Sequence, residues 1–179
     1  MRDNPVHRAA FGEDPLRRAR TLERLFGALL PGMRYEPICA RRGGGIVGVL
    51  GLAPPGACRP TPRQAARLVP ALLRAGPAST ARTFRWFVQW ERRHPREPHW
   101  HLGPVAVEAA LQGMGIGGLM MERVTEVVNA AGGSAYLETD KPENVRFYER
   151  FGFEVVSEAL ILGTTNWFMW RAARTERAG

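Results

Sequence analysis

The sequence has little cysteine and no long apolar run. Cys39 and Cys58 are its two cysteines, and they have neither the spacing of metal ligands nor partners for a disulfide framework. We therefore expect two reduced, uninvolved thiols and no metal. No apolar segment approaches the roughly 20 residues that cross a bilayer, and the N-terminus carries no apolar signal. These absences predict a cytoplasmic protein, without a membrane partner, that forms a single domain over residues 1–179.

A dense basic block is also missing, although the net charge is +8. Residues 1–98 carry a net +11 and residues 99–179 a net −3, but the arginines are dispersed singly and in pairs. Nucleic-acid sites are usually marked by a continuous basic patch with interleaved aromatic residues. We therefore expect no nucleic-acid partner. The last residues, 172–179, are predicted to be a polar tail.

The hydrophobic periodicity predicts a mixed α/β fold. Apolar residues at helical spacing predict a first helix over residues 15–30, and a strand–helix–strand order in the second half implies one parallel strand pair. Gly103-Pro104 interrupts the first strand of that pair. Since proline has no N–H for a ladder bond, this strand is expected to bulge and splay from its parallel neighbour. The predicted hairpins add antiparallel pairs, so the sheet is expected to be mixed. The predicted helices are 15–30, 63–75, 79–93, 115–131 and 142–151. The predicted strands are 33–40, 44–53, 99–108, 134–139, 153–162 and 166–172.

A glycine cluster precedes the helix predicted at residues 115–131. Gly113, Gly115 and Gly118 match G-x-G-x-x-G, with Glu138 twenty residues further on, which is the dinucleotide-binding pattern of NAD enzymes. However, five residues separate the strand from the first glycine, and too few residues follow Glu138 for such a fold. Glycines at a helix N-terminus instead favour a pyrophosphate held by backbone N–H groups.

The segment from Gln112 to Gly117 matches the Q/R-x-x-G-x-G/A pyrophosphate loop of the Gcn5-related N-acetyltransferases. Downstream, the segment YLETDKPENVRFYERFGFEVV resembles the second conserved block of that family and is similar to its puromycin N-acetyltransferase-like branch. The resemblance covers residues 99–158 and makes them the acetyl-CoA-binding core, with residues 1–98 on the acceptor side. It implies a mostly antiparallel sheet with a central splayed parallel pair between helices. Either the family's first strand is missing here, or the recorded start lies downstream of the true one.

The resemblance also implies roles for individual residues. Backbone groups near the bulged strand would bind the pantetheine arm, and Tyr148 would protonate the departing thiolate, since a phenol keeps its proton at neutral pH. Asn144 lies on the same helix face as Tyr148. The expected cofactor-binding residues are Val105, Ala106, Val107, Gln112, Gly113, Met114, Gly115, Ile116, Gly117, Gly118, Asn144 and Tyr148.

The general base is left open among three residues. Glu138 is the first candidate, because ligands bind outside the carboxyl ends of parallel strands, followed by His101 and His99. A water relay without a dedicated base is an alternative. The function predicted is acetyl transfer from acetyl-CoA to a primary amine of a small molecule by direct attack. Alternatives are a protein N-terminal or lysine acetyltransferase, a non-catalytic acyl-CoA-binding module and an NAD-dependent oxidoreductase. The oligomeric state stays open, and a homodimer is one option.

Overall fold

A computed structural model describes residues 3–31 and 36–174 of the chain. The described residues form helices α1 to α6 and strands β1 to β6, with one short 3-10 turn at Ala109–Leu111. Their bounds are α1 Pro5–Phe11, α2 Pro15–Leu29, β1 Glu36–Arg42, β2 Gly45–Ala53, α3 Pro62–Ala75, α4 Pro77–Glu91, β3 Trp100–Val107, α5 Ile116–Ala130, β4 Ala135–Thr139, α6 Pro142–Glu149, β5 Glu154–Ile161 and β6 Thr164–Arg171.

The six strands form one sheet in the order β1-β2-β3-β4-β6-β5. All neighbouring strands are antiparallel except β3 and β4, which are parallel. The predicted mixed sheet with a central parallel pair is therefore confirmed. A dinucleotide-binding domain requires a mostly parallel, doubly wound sheet, so this topology argues against the NAD alternative.

Side chains alternate between two apolar layers, because successive strand residues point to opposite faces of a sheet. On one face, α5 and α6 cover a core that includes Leu50, Leu102 and Leu137. On the other face, α1 to α4 cover Tyr136 and Phe168. We call these the α5 face and the α1–α4 face.

Helix α1 is absent from the sequence prediction, which begins its first helix at residue 15. A seven-residue helix shows too few turns for an apolar period to be recognised. Its N-terminus is fixed by Asp140, directly after β4. The Asp140 carboxylate accepts hydrogen bonds from the Val6 N–H at 2.7 Å and the Asn4 side-chain amide at 3.1 Å. The described residues 3–31 contain helices α1 and α2.

The predicted tail at residues 172–179 extends beyond the described part, which ends in irregular chain at Arg174. The first predicted strand, residues 33–40, begins with residues 33–35, which lie outside the described residues, and its described part lies within β1. Among the described helices, none has the length and apolar character needed to cross a membrane.

Candidate active site

The parallel strands β3 and β4 separate almost as soon as they meet. They pair only at Trp100 with Ala135 and at His101 with Tyr136, so a gap opens toward their carboxyl ends. The pairing of β3 with β2 also shifts register opposite Gly103. There Gly51 allows a close approach, because a Cβ atom on it would stand 2.6 Å from the Gly103 carbonyl oxygen. The bulge and the splay are as the sequence predicts.

Backbone groups of β3 face this gap. Glu108 donates its N–H to the Val47 carbonyl at 2.8 Å, on the β2 side. Since N–H and C=O directions alternate along a strand, those of Val105 and Val107 turn toward the gap and those of Ala106 toward β2. The Val107 carbonyl accepts a hydrogen bond from the Gln112 side chain at 3.1 Å. The gap edge therefore presents strand groups suited to an extended amide ligand.

The glycine loop lies at the end of the same strand. Gly113 and Gly115 have φ values of +80° and +81°, in the left-handed region that favours glycine. Space is open where a Cβ atom would stand on Gly113, Gly115 or Gly118. The first bond within α5 runs from the Leu119 N–H to the Gly115 carbonyl at 3.1 Å, and the N–H groups before it are those that helix geometry leaves without an intrahelical partner. An anion fits this position.

Helix α6 closes the third side of the opening. A Cβ atom on Gly117 would stand 3.4 Å from the Phe147 ring, so α6 lies against the first turn of α5. Asn144 donates from its side chain to the Thr139 hydroxyl at the end of β4, at 3.1 Å. Tyr148 is buried at the α5 face, and this burial raises the pKa of its phenol to about 12. The phenol therefore keeps its proton at neutral pH.

On the α1–α4 face, a polar cluster lies beside the point where the strands part. His101 and Glu138 form a hydrogen bond of 2.9 Å between Nε2 and Oε2. His94, which follows α4, has its Nδ1 3.9 Å from the other Glu138 oxygen. On its opposite side, the His94 Nε2 lies 3.2 Å from the Cys58 sulfur. His99 completes the cluster, with its Nδ1 2.7 Å from the Glu97 carbonyl.

Opposite charges shift the pKa values inside this cluster. Interactions with the imidazoles of His101, His94 and His99 lower the pKa of the Cys58 thiol to about 4. Burial works against the charged forms of His101 and Glu138, but their mutual attraction outweighs it, so the pKa of His101 is raised and that of Glu138 is lowered. His94 behaves similarly: hydrogen bonds with Cys58 and Glu138 overcome burial and raise its pKa. The cluster favours paired opposite charges.

Two of these residues, Cys58 and His94, are not among the site residues predicted from the sequence. Cys58 lies in the loop after β2, His94 after α4, and His101 in β3. Ligand-type spacing is not recognisable when each residue comes from a different element. The one available signal is the group of three of the chain's four histidines within residues 94–101. The structure therefore does not support an uninvolved Cys58, although both cysteines are free, as expected.

The aromatic residues of α4 differ in burial. Trp86 is buried in the core of the α1–α4 face, whereas Phe84 is 69% exposed and Phe87 is 41% exposed. Trp90 donates its indole N–H to Asn166 at 3.0 Å.

Comparison with known proteins identifies the family. The model of the acetyltransferase (GNAT) family matches residues 7–153. The chain belongs to this family. Membership of this family makes the chain an N-acetyltransferase.

Solved structures show the same fold. One is a histone acetyltransferase HPA2 and related acetyltransferase from Corynebacterium glutamicum, with 22% identity over 98% of this chain and 86% of that chain and a TM-score of 0.71. Another is a polyamine N-acetyltransferase from Drosophila melanogaster, which forms N-acetylagmatine; it has 14% identity over 94% and 86% of the two chains and a TM-score of 0.56. An agmatine N-acetyltransferase mutant also has 14% identity, over 93% and 87%, and a TM-score of 0.56.

Proposed function

We propose that this GNAT chain transfers the acetyl group of acetyl-CoA to a primary amine of a small molecule. The observation that carries the proposal is the convergence of three features at the carboxyl ends of the two central strands. The gap after His101 leaves the backbone of β3 unpaired with β4, and the glycine loop follows at Gln112 to Gly118. Helix α6 follows β4, with Asn144 bonded to Thr139 at the end of that strand and Tyr148 one helical turn further on.

The three features match successive parts of acetyl-CoA. The N–H groups at the start of α5 would bind the pyrophosphate, because they are open and carry the positive end of the helix dipole. The backbone of Val105 and Val107 would pair with the amides of the pantetheine arm, and the Asn144 amide lies beside the same opening. The Val105 N–H is the proposed donor to the oxyanion that forms when the amine attacks.

Tyr148 is the proposed general acid. When the amine attacks the thioester carbonyl, the C–S bond breaks and the leaving thiolate needs a proton. A phenol whose pKa is about 12 is fully protonated at neutral pH and can donate to the sulfur. Tyr148 is associated with the α5 face, whereas His101 and Glu138 are on the α1–α4 face. The acid would therefore reach the thioester sulfur, and the base the attacking amine, from opposite faces of the sheet.

The His101–Glu138 pair is the proposed base. Glu138 holds the Nε2 of His101, which leaves Nδ1 as the nitrogen that can take the ammonium proton. This nitrogen is buried without a hydrogen-bond partner. Because His101 is strongly favoured in its protonated form beside Glu138, it must first lose its own proton before it can act as a base. The carboxylate meanwhile attracts the cationic amine.

Arginines outnumber acidic side chains over residues 1–98, the proposed acceptor side. This positive charge disfavours an acceptor that carries further cationic groups beyond the one ammonium group near Glu138. A compact amine that bears one ammonium group near its reacting end, with apolar or aromatic groups elsewhere, suits the site better than a polycation.

The test combines binding with a product assay. Acetyl-CoA and NADH are each titrated calorimetrically into the purified chain, and acetylated products are then identified by mass spectrometry with agmatine, spermidine, puromycin and peptides as acceptors. Acetyl-CoA binding with acetylation of a small amine supports the proposal. Acetylation of peptides alone would favour a protein acetyltransferase. Binding without transfer would favour a non-catalytic acyl-CoA-binding module, and binding of NADH alone would overturn the cofactor assignment.

A further inference from the structure

The polar cluster on the α1–α4 face has the donor set of a transition-metal site. The Cys58 sulfur and one ring nitrogen each of His94 and His101 lie within 4.8 Å of one another. Ligand atoms around a single zinc ion are about 3–4 Å apart when the metal–ligand bonds are 2.0–2.3 Å and tetrahedral. The 3.2 Å between the Cys58 sulfur and the His94 Nε2 already falls in that range.

The contacts that the two imidazoles make with Glu138 are those expected of metal ligands. A histidine that binds a metal through one nitrogen usually gives its other N–H to a carboxylate or a carbonyl. The Nε2 of His101 is bonded to Glu138 at 2.9 Å, and the Nδ1 of His94 faces the other Glu138 oxygen at 3.9 Å. Glu138 can therefore orient both rings, and its side chain is only 4% exposed.

Unused nitrogen atoms give a second, independent observation. The Nδ1 of His101 and the Nε2 of His99 are buried without a hydrogen-bond partner, which is costly unless another group satisfies them. A hydrogen-bonded Cys58–His94 pair alone would leave both atoms unexplained. A metal bound by Cys58, His94 and His101 gives the His101 nitrogen a partner.

We infer that Cys58, His94 and His101 form a binding site for one divalent transition-metal ion of the zinc class. One thiolate with imidazole nitrogens is a typical zinc donor set, whereas Mg²⁺ and Ca²⁺ prefer oxygen ligands. Cys58 is half-buried, so an ion can enter from the solvent side of its loop. The metal site is a proposal separate from acetyl transfer, and the test of metal binding does not require that the proposed function is correct.

The experiment titrates Zn²⁺ into chelator-treated, reduced, tag-free protein in competition with a chromophoric chelator. Co²⁺ is used as a second probe, because a bound thiolate gives it a characteristic charge-transfer absorption. Wild type is expected to bind one ion per chain and to show this absorption. Cys58→Ser and His94→Asn should each weaken zinc binding by at least about 100-fold. Cys39→Ser is the matched control and should bind zinc as wild type does.

Circular dichroism and thermal melts without metal establish that each variant is folded. Zinc should raise the melting temperature of wild type and of Cys39→Ser, but not that of Cys58→Ser. Equal zinc affinity in wild type and Cys58→Ser would overturn the site. So would an absence of binding in folded wild type, or a Cys58 that iodoacetamide alkylates equally fast with and without zinc; this last result would identify a reactive thiol instead.

Discussion

His101 and Glu138 are joined across the two central strands, side chain to side chain, at 2.9 Å. The bond links β3 to β4 beside the last residue pair at which these strands meet, His101 with Tyr136. It places a carboxylate and an imidazole where an acceptor amine would approach from the α1–α4 face. Both the proposed base and the proposed metal site depend on this arrangement. The base uses the Nδ1 of His101 to accept a proton, whereas the metal site uses the same nitrogen as a ligand.

Zinc should inhibit acetyl transfer. A metal on the Nδ1 of His101 removes the nitrogen that would accept the proton from the amine. The turnover of wild type should therefore fall by about tenfold or more when zinc is bound, as expected for loss of a general base, and a chelator should restore it. The measured quantity is the ratio of rates with and without zinc.

Cys58→Ser is the informative comparison for this experiment, because its rate ratio should stay near one. If zinc lowers turnover equally in both proteins, the inhibition arises elsewhere. If zinc binds to wild type but leaves turnover unchanged, His101 is not the base.

Tyr148→Phe should lower turnover by about 100-fold, the usual size of a general-acid contribution. The substitution removes only the hydroxyl, so the ring keeps its contacts with Phe147 and Phe153. Steady-state kinetics gives kcat, and calorimetry gives the dissociation constant of acetyl-CoA, which should change little. Unchanged kcat would exclude Tyr148 as the acid.

The pH profile provides a separate test of Tyr148. Because burial raises its pKa to about 12, the acid remains protonated at every pH below that value. The phenol should therefore cause no loss of kcat/KM on the alkaline side up to pH about 10. A decline between pH about 8 and about 10 that disappears in Tyr148→Phe would show that the phenol ionises much earlier than its burial implies.

Gly115→Val should weaken acetyl-CoA binding by about 100-fold, which corresponds to the loss of one or two charge-assisted hydrogen bonds. The side chain would occupy the open space above the loop. It also strains the backbone, because the φ of Gly115 is +81°.

Gly132→Val is the matched control at the other end of α5. Gly132 has a φ of +59° and is also open to solvent, so the control carries a similar backbone strain without touching the loop. Calorimetry should show near-normal acetyl-CoA affinity for Gly132→Val. Equal losses in both variants would mean that strain, and not the blocked anion site, is responsible.

Asp140→Ala should lower the free energy of unfolding by about 2–3 kcal/mol, because it removes a buried carboxylate that accepts two hydrogen bonds. The carboxylate fixes Asn4 and Val6 at the start of α1. Asp14→Ala, at the exposed N-cap of α2, is the control and should cost about 1 kcal/mol. Urea denaturation measures both values, and equal losses would show that the anchor adds nothing beyond an ordinary cap.

Local patterns in the sequence were sufficient for most of the α/β core. The bulge at Gly103-Pro104 follows from the missing proline N–H, and the glycine loop follows from residues adjacent in the chain. Helix α1 was not predicted, because seven residues are too few to show a clear helical period. The face of the sheet on which Glu138 lies was predictable only from the alternation of side chains along β4, which puts Glu138 on the face opposite Leu137.

The cluster around Cys58 was not predictable by the same means. It depends on tertiary contacts among a loop, a turn after α4 and a strand, and the sequence holds no spacing rule for such an arrangement. Trp86 and Phe84 give a second example. Both are aromatic residues of one helix, but only the packing of α1 and α4 decides that one is buried and the other exposed.

The two residue pairs between β3 and β4 also have a mechanical meaning. They are the only ladder connection between the three-stranded halves β1-β2-β3 and β4-β6-β5 of the described sheet. A ligand that hydrogen-bonds along the gap edge would act as an additional strand and bridge the two halves. The stiffness of the sheet across its centre would then be greater with this ligand bound than without it.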